Sequence, residues 1–361
     1  MRENRWPLTR LLEICNSPYA SLVRRLQIGY NYFDHPDARE WGPGSRYQLY
    51  AEDSAQVLPM CLSRLSRLEV LDVCGPTFPS LNAPVEHQMR LFTDAIVSTL
   101  RYVQLPFLAE LNLRLAVTRE FGEFFYEYPT ASRIPVSGVM RQLRHLEMAV
   151  SDFTERDSRR NRHASLSALR ETYPNADFLS SPLRLIELAT GLESLSICGS
   201  DLLNMDSLQL DSEVSLKHLG LSRVTISTET MMTILERCRY SLRGVQFFWV
   251  ELNSGTWEEI LDKLTTFSQL SYVYVNACGY SPTEANSQLR LEQLPIPAGP
   301  EEIYTVNDTD HHALGKLQRH VIATREKAGM IPYREGDAYI RRAGLGLQES
   351  EVPVANANDN P

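Results

Sequence analysis

A short apolar phrase that recurs along most of the chain is the feature that most constrains its fold. Each phrase holds an apolar residue, a second one three positions later and a third two positions after that, as in Leu68, Leu71 and Val73. Eight phrases are present, and they begin at residues 23, 68, 108, 143, 192, 216, 242 and 270. Such a repeat indicates units that bury their apolar sides against one another.

A fourth apolar position, five residues after the third, accompanies the phrase in seven of the eight units, Thr118 being the exception. These residues are Phe33, Phe78, Phe153, Leu202, Ile226, Leu252 and Tyr280. The phrases begin 45, 40, 35, 49, 24, 26 and 28 residues apart. The last three steps fall in the leucine-rich-repeat range of about 20–29 residues, so the earlier units must carry insertions.

The segments between phrases show helical periodicity. Residues 230–239 place Met231, Ile234, Leu235 and Cys238 on one face, and residues 257–264 and 90–102 show similar apolar stripes. Thr228 and Ser254 stand where helix starts are expected. We therefore predict an α/β fold, an irregular leucine-rich-repeat solenoid of about eight repeats with a curved parallel sheet and outer helices. A doubly wound sheet is the alternative, although no G-x-G-x-x-G or Walker loop follows a strand.

Four regions follow from this pattern. Residues 1–20 are predicted as an N-terminal helix or cap, and residues 21–282 as the solenoid, with insertions at 34–56, 119–138 and 154–182. Residues 283–345 are predicted as a linker and a capping helix, and 346–361 as a disordered tail. The capping helix is expected over 310–327, with Leu314, Leu317, Val321 and Ile322 as its stripe.

Charge and cysteine usage narrow the function classes. The net charge of −9 argues against general nucleic-acid binding. The six cysteines form no C-x-x-C motif and are predicted to be buried, reduced thiols. No signal peptide or membrane-length apolar stretch is evident, so we expect a cytoplasmic or nuclear protein. The basic run at 156–163 is predicted to be a solvated insertion or a docking site for an acidic partner.

One cluster has the composition of a metal site. Asp308, Asp310, His311 and His312 lie at the start of the expected C-terminal helix, where acidic residues also favour the helix dipole. We favour the helix start, with a metal-dependent hydrolase as the alternative. No hydrolase elbow, zincin or kinase motif is present, so neither catalytic residues nor a cofactor are predicted.

The residues that alternate with the phrase are predicted to line the exposed face of the sheet. This candidate partner-binding face comprises Arg25, Gln27, Asp72, Glu110, Asn112, Arg114, His145, Glu147, His218, Gln246, Phe248, Tyr272 and Tyr274. Its last part is aromatic, which is typical of protein–protein contact sites. The alternative is that Phe248, Trp249, Tyr272 and Tyr274 pack under the C-terminal helix.

Residues 241–247 (Ser-Leu-Arg-Gly-Val-Gln-Phe) and 252–261 (Leu-Asn-Ser-Gly-Thr-Trp-Glu-Glu-Ile-Leu) carry a family resemblance. The chain resembles, over residues 20–330, the leucine-rich-repeat portion of fungal F-box-like proteins. The resemblance implies a protein interaction scaffold that acts as substrate-recognition subunit of a cullin-type ubiquitin ligase, bound to the cullin-ligase adaptor. An F-box is not evident, since Pro7 to Leu12 supply at most a helix fragment. A stand-alone structural or regulatory repeat protein is the alternative.

Overall fold

The computed structural model describes residues 6–29, 45–75, 83–126, 134–150, 172–282 and 303–331. Its strands are β1 Arg25–Gly29, β2 Val70–Cys74, β3 Glu110–Leu115, β4 His145–Val150, β5 Ser194–Asn204, β6 His218–Ile226, β7 Gly244–Leu252, β8 Tyr272–Asn276 and β9 Gly279–Tyr280. Its α-helices are α1 Trp6–Cys15, α2 Ser45–Arg64, α3 Ala83–Tyr102, α4 Val136–Met140, α5 Ser180–Leu188, α6 Thr228–Arg237, α7 Trp257–Leu264 and α8 Asp308–Lys327.

The strands form one parallel sheet in which β1 to β8 follow one another in chain order, and β9 adds a short pairing with β7. This order excludes the doubly wound alternative, in which the strand order reverses. The α/β architecture and its sequential parallel sheet, predicted from the phrase, are thus confirmed, and they fit a solenoid.

The pairing register aligns the phrases residue by residue. Every second phrase position pairs with the next, from Leu26 and Leu71 to Val245 and Val273. Every third position does the same, from Ile28 and Val73 to Phe247 and Val275. These two rows point to the helices, where all but the half-buried Leu26 are buried in one apolar cluster. The repeated phrase therefore sets the register of the whole sheet.

The helices pack their apolar stripes on this side of the sheet. In α7, Trp257, Ile260, Leu261 and Leu264 are 0% exposed, as the sequence periodicity predicts. The helix starts lie close to the expected positions but use other caps. Ser227 caps α6, and Thr256 forms a capping box with Glu259 at the start of α7. Thr228 and Ser254 are not the caps. The cap of α6 lies one residue before Thr228, and the cap of α7 lies two residues after Ser254.

The predicted insertions contain more regular structure than their composition suggested. Residues 45–56, inside the insertion expected at 34–56, belong to the 20-residue α2, because the prolines and glycines that suggested a loop all precede it. Residues 118–125 form a 310 helix that buries Phe121 and Phe124, and residues 175–178 form a second one. The basic run at 156–163 and the tail at 346–361 lie outside the described residues.

Two fourth-position expectations need correction, and three others, Phe33, Phe78 and Phe153, lie outside the described residues. Leu202 is 37% exposed, whereas its neighbour Leu203 is 4% exposed, because the β5–β6 pairing shifts register after Cys198. Thr118, the apparent exception, is 0% exposed. Its hydroxyl donates to the Asn175 carbonyl oxygen at 2.9 Å, and its amide donates to the Asn175 side chain at 3.1 Å. A hydrogen-bonded polar side chain thus replaces the apolar one.

The C-terminal helix α8 is fixed to the array by a buried carboxylate. Asp310, 0% exposed, accepts hydrogen bonds from the Tyr280 hydroxyl at 2.7 Å, the Thr305 hydroxyl at 2.8 Å and the Glu258 amide at 2.9 Å. The last bond satisfies a free N–H in the first turn of α7. Burial, above all, raises the pKa of Tyr280, so its hydroxyl stays protonated and donates. Asp310 therefore joins α7, α8 and β9.

Packing in the phrase core yields a stability prediction. Replacing Leu195 with alanine removes buried methyl groups from a side chain that is 0% exposed, and should lower the free energy of unfolding by about 3 kcal/mol. The control Leu202→Ala, at a partly exposed leucine of the same strand, should cost about 0.5 kcal/mol or less. Urea denaturation followed by circular dichroism measures both. Equal losses in the two variants would contradict the register.

The Asp310 network yields a second prediction. Asp310→Ala leaves two hydroxyls and an amide without their acceptor, and should destabilise the packing of α8 by about 3 kcal/mol. Asp308→Ala, at an exposed residue two positions earlier, is the control. Hydrogen exchange measured by mass spectrometry should show faster exchange in α8 and α7 for Asp310→Ala only. Unchanged protection in that variant would argue against the proposed anchor.

Candidate functional site

The candidate site is the side of the sheet opposite the helices, which we call the ladder face. Alternation along β1–β8 projects three rows of side chains there. The first row is Arg25, Val70, Glu110, His145, Ser194, His218, Gly244 and Tyr272; the second is Gln27, Asp72, Asn112, Glu147, Ser196, Gly220, Gln246 and Tyr274; the third is Gly29, Cys74, Arg114, Ala149, Cys198, Ser222, Phe248 and Asn276. All thirteen residues of the predicted face therefore lie together.

Their exposure differs within the face. Arg25, Gln27 and Gln246 are exposed, whereas Glu110 is only 6% exposed although it belongs to the first row. The Asn112 side-chain amide donates to Glu110 at 3.0 Å. The other nine predicted residues are half-buried. Glu110 is thus a poor direct contact, a fact that strand alternation alone does not reveal.

The N-terminal half of the ladder face is charged but internally balanced. Arg25 lies 3.8 Å from Asp72, and Arg114 lies 3.6 Å from Glu147. At the edge of the face where the strands begin, Lys217 Nζ lies 2.6 Å from the Glu193 Oε2 atom. This hydrogen bond, more than any other interaction, lowers the pKa of Glu193. These partly exposed pairs add little stability, but they neutralise much of the charge that a partner would meet.

The centre of the face is lined by small side chains. Ser196, Cys198, Gly220 and Ser222 occupy the second and third rows of β5 and β6. In the first row, a Cβ on Gly244 would lie 2.8 Å from the His218 Nδ1 atom, so glycine leaves the imidazole its space. A shallow trough between larger side chains results.

Two polar atoms beside this trough have no hydrogen-bond partner among the described residues, His145 Nδ1 and Ser194 Oγ. They belong to adjacent strands in the first row. Burial lowers the pKa of His145, so the neutral imidazole is favoured there. Buried polar groups are normally satisfied, and such exceptions often mark a functional position.

The C-terminal end of the face forms an aromatic patch, which comprises Arg223, Phe248, Trp249, Tyr272 and Tyr274. The Phe248 and Trp249 rings stack with centroids 5.8 Å apart, and the Arg223 guanidinium lies 4.4 Å from the Trp249 ring centroid. A cation and an aromatic ring at such a distance attract each other. Sequence analysis missed the role of Arg223, which no spacing rule indicates.

Backbone strain accompanies this patch. Arg223, Trp249 and Ala277 have φ angles of 54°, 56° and 54°, in the left-handed region that non-glycine residues rarely adopt. Each of them directly follows a third-row residue, namely Ser222 in β6, Phe248 in β7 and Asn276 at the end of β8. This conformation lets the following residues Val224, Val250 and Cys278 return to the core, where each is 0% exposed.

The C-terminal helix α8 does not cover the tyrosines of the aromatic patch, because it packs on the other side of the sheet. Ala313, Leu314, Leu317 and Val321 of α8 join the same core cluster as Val273 and Val275, which alternate with the two tyrosines. Strand alternation thus places α8 on the opposite side of the sheet from Tyr272 and Tyr274. Ile322, expected in the stripe of α8, is 45% exposed.

The cluster at residues 308–312 is a helix start, as favoured from the sequence. Asn307 caps α8, Asp310 is engaged in the buried network, and His312 Nδ1 lies 2.7 Å from the Asp308 carbonyl oxygen. Within the part of the chain that the structure describes, no three His, Cys, Asp or Glu side chains are grouped to hold a metal ion. In the same ranges, no helix has the length and apolarity needed to cross a membrane.

Comparison with known proteins was made for the sequence and for the fold. No family model and no curated protein matches the sequence. Among solved structures, the chain is similar to an internalin (inlF) from Listeria monocytogenes, with 13% identity and a TM-score of 0.32. That match covers 77% of this chain and 71% of the internalin chain. The fold assignment rests on the strand order and register described above.

A strongly shifted carboxyl lies next to the array rather than on the ladder face. Burial, the dominant cause, raises the pKa of Glu120 to about 7, although the Ala116 amide donates to it at 2.8 Å and the Thr93 hydroxyl at 3.2 Å. These bonds join the 310 helix at 118–125 to α3 and to the end of β3. The contacts indicate a structural role for Glu120.

This shift predicts a pH dependence. Because the folded-state pKa of Glu120 lies above the ordinary value of 4.5, its contribution to stability should fall as pH rises from about 4.5 to about 7. The free energy of unfolding of wild type relative to that of Glu120→Gln should therefore fall by about 2 kcal/mol when the pH is raised from about 5 to about 8. Urea denaturation at both pH values measures this change. The control Glu213→Gln, at an exposed carboxylate, should show the same change in unfolding free energy between the two pH values as wild type. If Glu120→Gln also showed the wild-type change, Glu120 would not be the group responsible.

Proposed function

We propose that the chain is a non-enzymatic protein-binding scaffold whose partner docks on the ladder face at the aromatic patch. The observation that carries this proposal is Trp249, which has a left-handed backbone conformation and whose ring contacts both the Phe248 ring and the Arg223 guanidinium. Tryptophan, tyrosine and arginine contribute most of the binding energy at protein interfaces. A repeat array also presents an extended surface on which several such side chains act together.

The charge distribution indicates what kind of segment fits there. From β5 to β8, the three rows of the ladder face contain no carboxylate, although the whole chain has a net charge of −9. Arg223 lies directly after the third row of this half. At the edge where the strands begin, Arg243 is exposed, and Lys217 is paired with Glu193. We therefore propose a partner segment that carries acidic side chains next to apolar ones, since unlike charges steer and align an interface.

The trough supports an extended or helical segment rather than a small ligand. Its small side chains lie on β5 and β6, and the larger Glu147 and Gln246 stand in the second row on either side. Neighbouring strands are about 4.8 Å apart, so the gap between these two side chains spans about 14 Å. A helix with its side chains is about 10–12 Å wide, which fits such a gap.

A more specific proposal is that the scaffold is the substrate-recognition subunit of a cullin-type ubiquitin ligase. The residues at 241–247 and 252–261, which carry the resemblance to fungal F-box-like proteins, support it. Under this proposal the ladder face holds the substrate, and the cullin-ligase adaptor is a second partner. A stand-alone scaffold is the alternative, in which the same face binds its partner without the adaptor.

The cysteines support a cytoplasmic or nuclear location. All six are free thiols, and four of them are buried. Disulfides are rare in these compartments, whereas exported proteins commonly contain them. We therefore propose that the partner is also an intracellular protein.

Affinity purification of the full chain followed by mass spectrometry is the first experiment. Recovery of the cullin-ligase adaptor would support the ligase proposal, and the other reproducible partners are then candidate substrates. A reproducible partner without the adaptor would support the stand-alone scaffold. The acidic segment of that partner is then synthesised as a peptide, and its affinity is measured by calorimetry.

Binding should depend on Trp249. Trp249→Ala removes the stacked ring and should weaken the recovered partner's binding at least tenfold, on the order of 1.4 kcal/mol. The matched control is Tyr240→Ala, because Tyr240 also contacts an arginine, with Arg239 at 5.8 Å, but is 81% exposed and lies off the ladder face. Both variants should keep the wild-type melting temperature. Equal binding by Trp249→Ala and wild type would overturn the assignment of the patch.

A further inference from the structure

A continuous row of hydrogen-bonded residues forms the edge of the sheet at which the strands begin. In each unit after the first, the amide of the residue before the strand donates to the carbonyl oxygen of the equivalent residue in the preceding unit, as Glu193 does to Arg144 at 2.8 Å. The row runs from Arg24 to Ser271, with one residue before each of β1 to β8. Because neighbouring strands are about 4.8 Å apart, these residues stand at a fixed spacing along the edge.

This edge is cationic, although the whole chain has a net charge of −9. We call strand-start edge the residues of each unit that run from two positions before to one position after the first phrase position. Its cationic residues are Arg24, Arg67, Arg141, Arg144, Lys217 and Arg243, and its carboxylates are Glu69 and Glu193. Both carboxylates lie beside cations of the row, Glu69 at 3.3 Å from Arg24 and Glu193 at 2.6 Å from Lys217.

Several of these cations have charge available to a partner. Arg67, Arg141 and Arg243 are exposed, and none of them forms an ion pair with another described residue. Arg144 is also exposed, and it lies 3.9 Å from Glu193, which Lys217 approaches more closely. A segment that carries carboxylates would therefore meet positive charge at this edge.

A cavity of about 230 Å³ opens at the same edge, between the third and fourth units. Its lining contains no charged side chain, and its apolar part consists mainly of Leu100, Val103, Leu105, Leu108, Ile134 and Val139. Pro106 and Gln142, which also line it, belong to the strand-start edge, and the adjoining Phe107 and Arg141 are exposed. An apolar cavity of about 150 Å³ can hold a benzene molecule, so this one has room for one large apolar side chain.

We propose that the strand-start edge around this cavity is a second docking site, which binds an acidic segment of a protein partner with one large apolar side chain in the cavity. Carboxylates on the two sides of that side chain pair with Arg67 in the second unit and with Arg141 and Arg144 in the fourth. The site rests on the proposed protein-binding function and adds to it the chemical class of a second bound segment.

The cavity and the cations together favour a peptide over a nucleic acid. A nucleic acid requires a long cationic footprint for its phosphates, whereas this edge belongs to a chain with a net charge of −9. A leucine or phenylalanine side chain fits an uncharged cavity, and its burial contributes binding energy that no phosphate supplies.

The strand-start edge is separate from the aromatic patch. Arg243 and Trp249 are six residues apart along β7, which corresponds to about 20 Å in a strand. A partner that occupied both sites would gain affinity, because the second contact forms within the complex that the first has made.

Binding of a synthetic heptapeptide to the full chain tests this site. The central residue of the peptide is phenylalanine, all others are glutamates, and a terminal fluorescein reports binding by anisotropy. Wild type should bind the peptide saturably, and replacing its phenylalanine with glycine should weaken binding at least tenfold, because the cavity then stays unfilled. Absence of saturable binding, or equal binding of the glycine peptide, would refute the proposal.

Charge variants at exposed residues locate the peptide without altering the core. Arg67→Gln combined with Arg141→Gln should weaken binding at least tenfold. The matched control combines Arg237→Gln and Arg319→Gln, which make the same change of net charge at exposed arginines of α6 and α8, and it should bind like wild type. Equal losses in the two double variants would mean unspecific attraction and would contradict the site.

Trp249→Ala distinguishes this site from the aromatic patch. It should bind the heptapeptide like wild type. Loss of heptapeptide binding in Trp249→Ala would place the peptide on the patch, which rules out the second site and leaves the proposed function intact. If Trp249→Ala instead binds both the heptapeptide and the recovered partner like wild type, the second site stands and the patch assignment fails. Tighter binding of a short oligothymidylate than of the heptapeptide would exclude the peptide as the preferred ligand.

Discussion

The alignment of identical phrase positions across the parallel sheet is the constraint on which the structure depends. A shift of one residue in any strand would move its apolar side chains to the ladder face and its polar ones into the core. From Leu71 to Val273, each second position is buried, and the same is true of each third position from Ile28 to Val275. The rows of the ladder face are in register because the rows of the core are.

The sequence predicts this part of the molecule well, since the information is periodic and local. The phrase identified eight strands and the side chains that lie between core positions, and the 3.6-residue period identified the stripes of α6 and α7. Boundaries were less accurate, as Ser227 and Thr256 show, because a cap depends on the backbone conformation of a single residue. The partner-binding role of the face stays a prediction.

Contacts between distant residues could not be predicted from periodicity. The pairs Asp310 with Tyr280 and Thr118 with Asn175 join segments whose separation in sequence carries no regular signal. Arg223 and Trp249 are 26 residues apart, and their stacking depends on two left-handed backbone conformations that neither residue type favours. Rows of apolar residues can be predicted from the sequence, whereas strain at single residues and hydrogen bonds between distant residues become visible only in the three-dimensional structure.

The sequential order of β1 to β8 has a consequence for how such a chain can change over time. Each strand pairs with its neighbours in the chain, so adding or deleting one whole unit leaves every other strand with an adjacent partner. The steps of 24, 26 and 28 residues at the C-terminal end, against 35 to 49 before it, show how unequal the units already are. Gene duplication or deletion within the array could thus lengthen or shorten the ladder face without rerouting the chain.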